Sequence, residues 1–385
     1  MTEPITSQDH LDFYLAHDIS PVRQDISDLR KHFDRRESLY RGLGVPASFI
    51  KGKSVLEVGP GSGHNSLHVA ACLPAVLDLV EPNPVGRNGI AALYAELPVD
   101  HTRPNLIAQK LEDFAAEIKY DLAIAEAWLG VPDHECRLMA KLASYVRPGG
   151  VLVTTLTSPI GMLANTLRRI LGDILIAGSP SLAERTSVLV KAFGSHLATM
   201  KDMSRPNEDW VQDSLLNPGF LTSCLTPGVF FDTLGSGFSV YGSVPKLVTD
   251  WRWYKSLYGD GRRFNQVFLE SYLANCHNLF DYRDVLPPRP AAANTALENR
   301  CRILLTMVAA YWEKKAPPPR DGIARQVEDI RAAVADVSRP WADGIGEFLD
   351  VFAKDAITPE TVAGMTKLAP IFGRELLYIS MIRDR

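Results

Sequence analysis

The stretch Val55-Leu56-Glu57-Val58-Gly59-Pro60-Gly61-Ser62-Gly63 decides how the rest of the chain is read. Residues 54–59 form a short apolar run, as a buried strand requires. The glycine turn after it opens into the helical stretch HNSLHVAACL (64–73). Glycines at 59, 61 and 63 let the backbone turn sharply and approach a ligand closely, because no Cβ intervenes. The helix start offers unpaired N–H groups and the positive end of its dipole. In a dinucleotide fingerprint, G-x-G-x-x-G, the third glycine comes one residue later and lets the helix pack on the strand. Here the spacing is G-x-G-x-G, and Glu57 stands two residues before the first glycine. A carboxylate at that point repels a pyrophosphate and suits a ligand that carries an ammonium group.

Outward from this turn, apolar runs at 76–81 (VLDLVE), 106–109 (LIAQ), 121–126 (DLAIAE) and 151–156 (VLVTTL) alternate with helical stretches. Such alternation predicts βαβ units and a doubly wound, mostly parallel α/β sheet. Residues 20–50 read as helical, with Ile26, Leu29, His32 and Phe33 at helical spacing, until Gly42, Gly44 and Pro46 break the pattern. After Leu156 the sheet signal lapses and returns at 235–243 (GSGFSVYGS), so 157–228 reads as an insertion of the kind that forms a lid on a sheet rim. From Asp250 onward two helices show one apolar face each, Leu297, Cys301, Leu304, Val308 and Trp312, then Ile323, Val327, Ile330, Val334 and Val337. The expected organisation is an N-terminal helical segment (1–50), a sheet domain (51–245) and a C-terminal α-helical domain (246–385).

Four marks together resemble the class I S-adenosylmethionine-dependent methyltransferase family: E-x-G-x-G-x-G at 57–63, an acid, Glu81, closing the second strand, the short acidic turn LEDF (111–114), and P-G-G within RPGG (147–150) before the fifth strand. The resemblance covers residues 53–156 and implies a Rossmann-like fold with S-adenosylmethionine as cofactor. It implies that Glu57, Gly59, Pro60, Gly61, Ser62 and Gly63 hold the methionine moiety, that Glu81 with Pro82 and Asn83 holds the ribose, and that Leu111 with Glu112 lines the adenine. Lys110 stands where many members carry an Asp. After the fourth strand there is no Asp/Asn-Pro-Pro-Tyr/Phe run, which disfavours methylation of a base or amide nitrogen. Where members acting on small molecules often carry a His, this chain has Gly130, and the nearest histidine is His134.

His134 and Glu126 are therefore the catalytic candidates. Glu126 can line the sulfonium end of the site or cap a loop, and His134, between Asp133 and Glu135, can be a base or a solvated helix start. Tyr40 with Arg35 and Arg36 can close over the cofactor or sit on an exposed helix face. His64 and His68 have the spacing of a metal pair, but no third ligand lies near them in the sequence, and no metal is expected. Trp251, Arg252, Trp253, Tyr254 and Tyr258 can stack on a planar substrate or pack between domains.

A net charge of -4 with no block of like charge disfavours nucleic acid as the partner. Five scattered cysteines without a CxxC pair fit a reducing cytoplasm. The polar, acidic N-terminus does not read as a signal peptide. The longest apolar candidate for a membrane span, 160–177, is interrupted by Arg168, Arg169 and Asp173; its apolar face can serve as core or as a homo-oligomer interface. The expected activity is methyl transfer to an oxygen or nitrogen of a small molecule or sugar-containing metabolite. The rival readings are a nicotinamide-dependent oxidoreductase and a non-catalytic cofactor-binding scaffold.

Overall fold

The computed structural model describes residues 7–127, 132–221 and 224–384. Among these residues, seven strands form one sheet: β1 Ser54–Val58, β2 Val76–Val80, β3 Asn105–Ile107, β4 Tyr120–Ala125, β5 Val146–Thr157, β6 Phe238–Val244 and β7 Leu376–Arg383. Their spatial order is β3-β2-β1-β4-β5-β7-β6. β1 to β5 run parallel, and β7 pairs antiparallel with both β5 and β6. The order reverses between β1 and β4, so the crevice beyond their carboxyl ends is where an open α/β sheet binds ligands.

α1 Ser7–His17, α2 Leu29–Gly42 and α3 Ala47–Ile50 precede the sheet, and α4 Ser66–Ala71, α5 Pro84–Ala95 and α6 Pro132–Tyr145 connect its parallel strands. α7 Pro159–Leu175, α8 Leu182–Leu197, α9 Asn207–Val211 and α10 Pro227–Leu234 lie between β5 and β6. α11 Phe264–Asn275, α12 Ala291–Glu313, α13 Arg320–Val334, α14 Arg339–Phe352 and α15 Pro359–Ala363 lie between β6 and β7.

The period-two pattern of the strands divides the interior into two cores. Val55, Leu122, Ile124, Val151 and Val153 face Leu67, Ile90 and Tyr94 on one side. Leu56, Val58, Ala123, Ala125, Leu152 and Leu156 face Leu138, Met139 and Leu142 on the other. The second core continues into the long helices, where α7 packs on α12 and α8 on α15. The apolar face of 160–177 is thus core: α7 is buried from Pro159 to Gly172. Arg168 and Arg169, which break that apolar run, are buried as well. Arg168 donates to the carbonyls of Ile371 (2.9 Å), Ala369 (3.0 Å) and Leu368 (3.2 Å), and Arg169 to those of Ser214 (2.9 Å) and Asn217 (2.7 Å). Burial lowers Arg168 to about 9 and Arg169 to about 10.

The structure departs from the sequence reading in two places. The C-terminal segment read as helical ends in β7, an apolar run seated between β5 and β6 and therefore part of the sheet. The helix expected over 20–50 begins only at Leu29, capped by Asp28, whose carboxylate accepts the Lys31 N–H at 2.9 Å; residues 19–28 form neither helix nor strand.

Candidate functional site

β1 ends at Val58, and the turn after it takes left-handed backbone at Gly59 (φ 68°), Gly61 (φ 58°) and Gly63 (φ 76°), the region that costs residues with a Cβ. This turn forms one wall of a cavity of about 420 Å³. Glu57, Gly59, Pro60, Gly61 and Ser62, then Glu81, Pro82 and Asn83, then Leu111 and Glu112, all line it, as does Lys110. Gly63 does not: it packs under α5, where a Cβ would meet Ile90 Cγ1 at 2.7 Å.

Glu57 is buried, and its Oε2 has no hydrogen-bond partner among the described residues. Burial, with the charge of Glu126 adding to it, raises its carboxyl to about 7. Glu81 closes β2 and accepts the Gly61 N–H through Oε2 and the Asn83 N–H through Oε1, both at 2.8 Å. Burial raises it to about 7 as well, against the pull of those two donors. Asn83 caps α5 by accepting the Val85 N–H at 3.0 Å, while its Nδ2 donates to the Ile19 carbonyl at 2.9 Å. An acid therefore stands behind the turn and a second one locks it to the end of β2.

Glu126, at the end of β4, lines the cavity but is not a bare charge beside it. Arg36 of α2 holds it with two hydrogen bonds, Nη2 to Oε1 at 2.6 Å and Nη1 to Oε2 at 3.0 Å, and both side chains are buried. The pair is the strong, planar kind of contact that guanidinium and carboxylate make. Of the cluster expected to close over the cofactor, Arg36 alone reaches the cavity. Tyr40 lies one turn on, 5.3 Å beneath the Arg36 guanidinium, fully buried in the core of the first face. It supports the arginine instead of facing the cavity, a correction to the sequence expectation. Arg35 turns outward to Asp202, donating to its carbonyl at 2.9 Å.

His134 is a second correction. At the start of α6 its Nε2 lies 3.4 Å from Glu112 Oε1, outside the lining of the cavity. Glu135, next to it, does line the cavity and is buried. Gly130 lies outside the described residues. His64 pairs with Ser62 Oγ at 2.8 Å and His68 with Cys72 Sγ at 3.9 Å, so the two rings serve different neighbours. Trp251, Trp253, Tyr254 and Tyr258 are exposed (91%, 66%, 72% and 75%), which speaks against interdomain packing, one of the two readings the sequence left open for them.

The sequence reading missed the roof of the cavity. His10, Leu11 and Tyr14 of α1, Val22 and Gln24 of the segment after it, Arg205 and Asp213 of the insertion, and Leu376 and Tyr378 of β7 also line it. Asp213 sits on a π-helical turn, Gln212–Leu216, that continues α9. Its carboxylate accepts from Tyr14 Oη and, at 2.5 Å, from Arg205 Nη1. The Ser62 hydroxyl donates to the Val22 carbonyl at 3.1 Å, Arg23 pairs with Asp209 at 2.7 Å, and the Asp25 N–H donates to the Ser204 carbonyl at 2.6 Å. The N-terminal segment is thus strapped to the glycine turn below and the insertion above. The π turn that follows α9, a feature frequent at functional sites, is not legible in sequence.

Residues 31–187 match the model of a family described as a methyltransferase domain. The match runs from α2 through β5 into α8 and takes in the glycine turn, Glu81 and the acidic turn. This part of the chain is thus similar to a methyltransferase domain. No curated protein matches the sequence. Among solved structures, the chain is similar to the CcbJ methyltransferase from Streptomyces caelestis (20% identity, 34% of this chain and 51% of that one, TM-score 0.28). It is also similar to the N-methyltransferase NodS from Bradyrhizobium japonicum WM9 (15%, 38% and 74%, TM-score 0.30) and to magnesium protoporphyrin IX methyltransferase from Synechocystis PCC 6803 (15%, 40% and 67%, TM-score 0.29). The chain thus spans about half the length of the first of these.

Proposed function

We propose that the protein transfers a methyl group from S-adenosylmethionine to an oxygen or nitrogen of a small molecule or sugar-containing metabolite inside the roofed cavity. The observation that carries this reading is the unpaired, buried Oε2 of Glu57 at the foot of the three-glycine turn. A buried carboxylate without a donor is costly unless a ligand supplies one. The ammonium of the cofactor's amino-acid tail is such a donor, and its arrival would return Glu57 to the charged form. Glu81 keeps a second lone pair on each oxygen for the ribose hydroxyls, and Leu111 with Glu112 forms the adenine wall.

When bound, the cofactor supplies a methyl group on a positively charged sulfur, already a good leaving arrangement. The residues of this chain then have to align the acceptor and keep water out. The Arg36–Glu126 pair would set the wall beside the sulfonium without a net charge of its own. Tyr14, Val22 and Tyr378 close the cavity from above, which suits a small acceptor better than a polymer. Of the two candidate bases that the sequence offers, Glu126 lines the cavity and His134 does not.

All five cysteines are free, in keeping with a cytoplasmic protein. No helix among the described residues is long and apolar enough to cross a membrane. Titration calorimetry with S-adenosylhomocysteine and with NAD separates this reading from an oxidoreductase. We expect one S-adenosylhomocysteine per chain and no heat from NAD; NAD binding without S-adenosylhomocysteine binding would overturn it. Methyl transfer from labelled cofactor into a small-molecule extract fraction separates an enzyme from a scaffold.

A further inference from the structure

Away from the cavity, exposed aromatic rings are concentrated in one place. Among the described residues every exposed large aromatic side chain lies between 241 and 258: Tyr241, Trp251, Trp253, Tyr254 and Tyr258. None of them lines the cavity. Single exposed apolar side chains are ordinary. Four large rings within the eight residues 251–258 form a patch instead, and such patches mark partner or membrane surfaces.

The loop that carries the rings is braced. It follows β6, the edge strand of the sheet, and both its ends are tied to that strand. The Ser243 hydroxyl donates to the Pro245 carbonyl at 2.9 Å where the chain leaves β6. Asn265 takes it back, accepting the Val240 N–H and donating to the Phe238 carbonyl, both at 2.8 Å. Between these ends Arg252 ties the loop across itself, Nε to Asp250 Oδ1 at 2.9 Å and Nη1 to the Gly261 carbonyl at 2.8 Å. An added Cβ at Gly261 would collide with the Ser256 carbonyl oxygen, so the loop closes tightly there. The same loop carries Lys246, Arg252, Lys255, Arg262 and Arg263 against only Asp250 and Asp260, in a chain of net charge -4. Asp250 is spent on Arg252, whereas Lys246, Lys255, Arg262 and Arg263 are all exposed. Lys255 Nζ stands 5.4 Å from the centre of the Trp253 ring.

We propose that this loop docks the protein on a membrane surface that carries anionic lipid headgroups. Indole and phenol rings settle at headgroup depth, where their apolar bodies and polar tips are both satisfied. Cations beside them are drawn to the negative headgroups. The attraction is directional, because an anionic bilayer pulls on this loop and repels the rest of an acidic chain. Two copies meeting through the loop would bring two cation excesses together, which disfavours a dimer there. Arg252, the guanidinium amid the rings, is spent on Asp250 and Gly261 and is not free to clamp a phosphate backbone, which disfavours a single-stranded nucleic acid.

The test is flotation of the full chain with vesicles of phosphatidylcholine alone and of phosphatidylcholine mixed with phosphatidylglycerol. The mixed vesicles are expected to bind at least about tenfold more tightly than the neutral ones. Trp251→Ala/Trp253→Ala should weaken binding to mixed vesicles about tenfold or more, through the ring area lost from the interface. Lys255→Gln/Arg263→Gln should weaken it about thirtyfold, through the two cations removed. All four side chains are exposed, so thermal unfolding of both variants should match the parent. Equal binding to the two vesicle types, binding to neither, or a variant that binds as the parent does overturns the proposal. A dimer, or retention of a single-stranded oligonucleotide, that is lost in Trp251→Ala/Trp253→Ala while vesicles are ignored gives the loop another occupant and overturns it too.

Discussion

The floor and the roof of the cavity are built in opposite ways. The floor is local: Glu57, the glycines that follow it and Glu81 lie on two adjacent strand ends, and the hydrogen bond that joins them, Gly61 to Glu81, spans 20 residues. The roof is remote: Tyr14 meets Asp213 across 199 residues and Arg23 meets Asp209 across 186. The floor works through backbone N–H groups and left-handed glycines, which leave a mark in sequence. The roof works through side chains that any helix could carry. The same molecule therefore announces its cofactor and conceals its acceptor.

The contrast can be broken most strongly from behind the roof. Arg169 spends its buried guanidinium on the carbonyls of Ser214 and Asn217 and so holds the π turn. Arg169→Ala should cost about 3–4 kcal/mol in urea denaturation, because charged hydrogen bonds are lost and carbonyls are left buried. A loss under about 1 kcal/mol would mean the turn is held by something else.

Nearly as large is the effect of pH on the floor. Glu57 and Glu81 stand near 7 in the folded protein against an ordinary value of 4.5. Between those values the folded state holds protons that the unfolded chain has released, so stability of the ligand-free protein falls as pH rises from about 4.5 to about 7. Glu57→Gln should remove its share of that slope, about 3 kcal/mol across the window. Denaturation curves of parent and variant at pH 5 and pH 7.5 measure it, and parallel pH profiles would contradict it.

Gly61→Ala sharpens the comparison at the seam between floor and roof. Its φ is 58°, and an added Cβ would meet Val22 Cγ2 at 2.6 Å. The strain of about 1–2 kcal/mol, with displacement of Val22, should weaken S-adenosylhomocysteine about thirtyfold. The smallest effect belongs to Asp209→Asn. Its partner Arg23 is 63% exposed, and such pairs contribute under about 1 kcal/mol. S-adenosylhomocysteine affinity should stay within about threefold while amide exchange across 19–28 quickens.

The parallel half of the sheet was legible because strands buried on both faces read as continuous apolar runs, and the glycine turn and Glu81, both marked in the sequence, line the cavity. β7 was hidden, although Leu376–Arg383 is equally apolar, because it follows five helices and pairs with strands far back in the chain. The non-helical course of 19–28 was misread for a related reason: Ile26 has helical spacing to Leu29, but tertiary ties at Ile19, Val22 and Asp25 decide the backbone. Tyr40 and Arg36, grouped in the sequence reading, are neighbours on α2. Which of them faces the cavity depended on Glu126, a residue 90 positions on from Arg36. His134 attracted attention as the nearest titratable ring, yet its partner Glu112 belongs to the turn after β3.

The central claim is that two buried carboxylates on neighbouring strand ends hold an amino-acid-bearing nucleoside. Calorimetric affinity of the folded Glu57→Ala/Glu81→Ala double variant for S-adenosylhomocysteine tests it most directly. The account predicts a loss of about a hundredfold or more, since charge-assisted contacts to the ammonium and the ribose disappear together and the Gly61 and Asn83 N–H groups lose their acceptor. A double variant with native thermal stability that binds as tightly as the parent would contradict it.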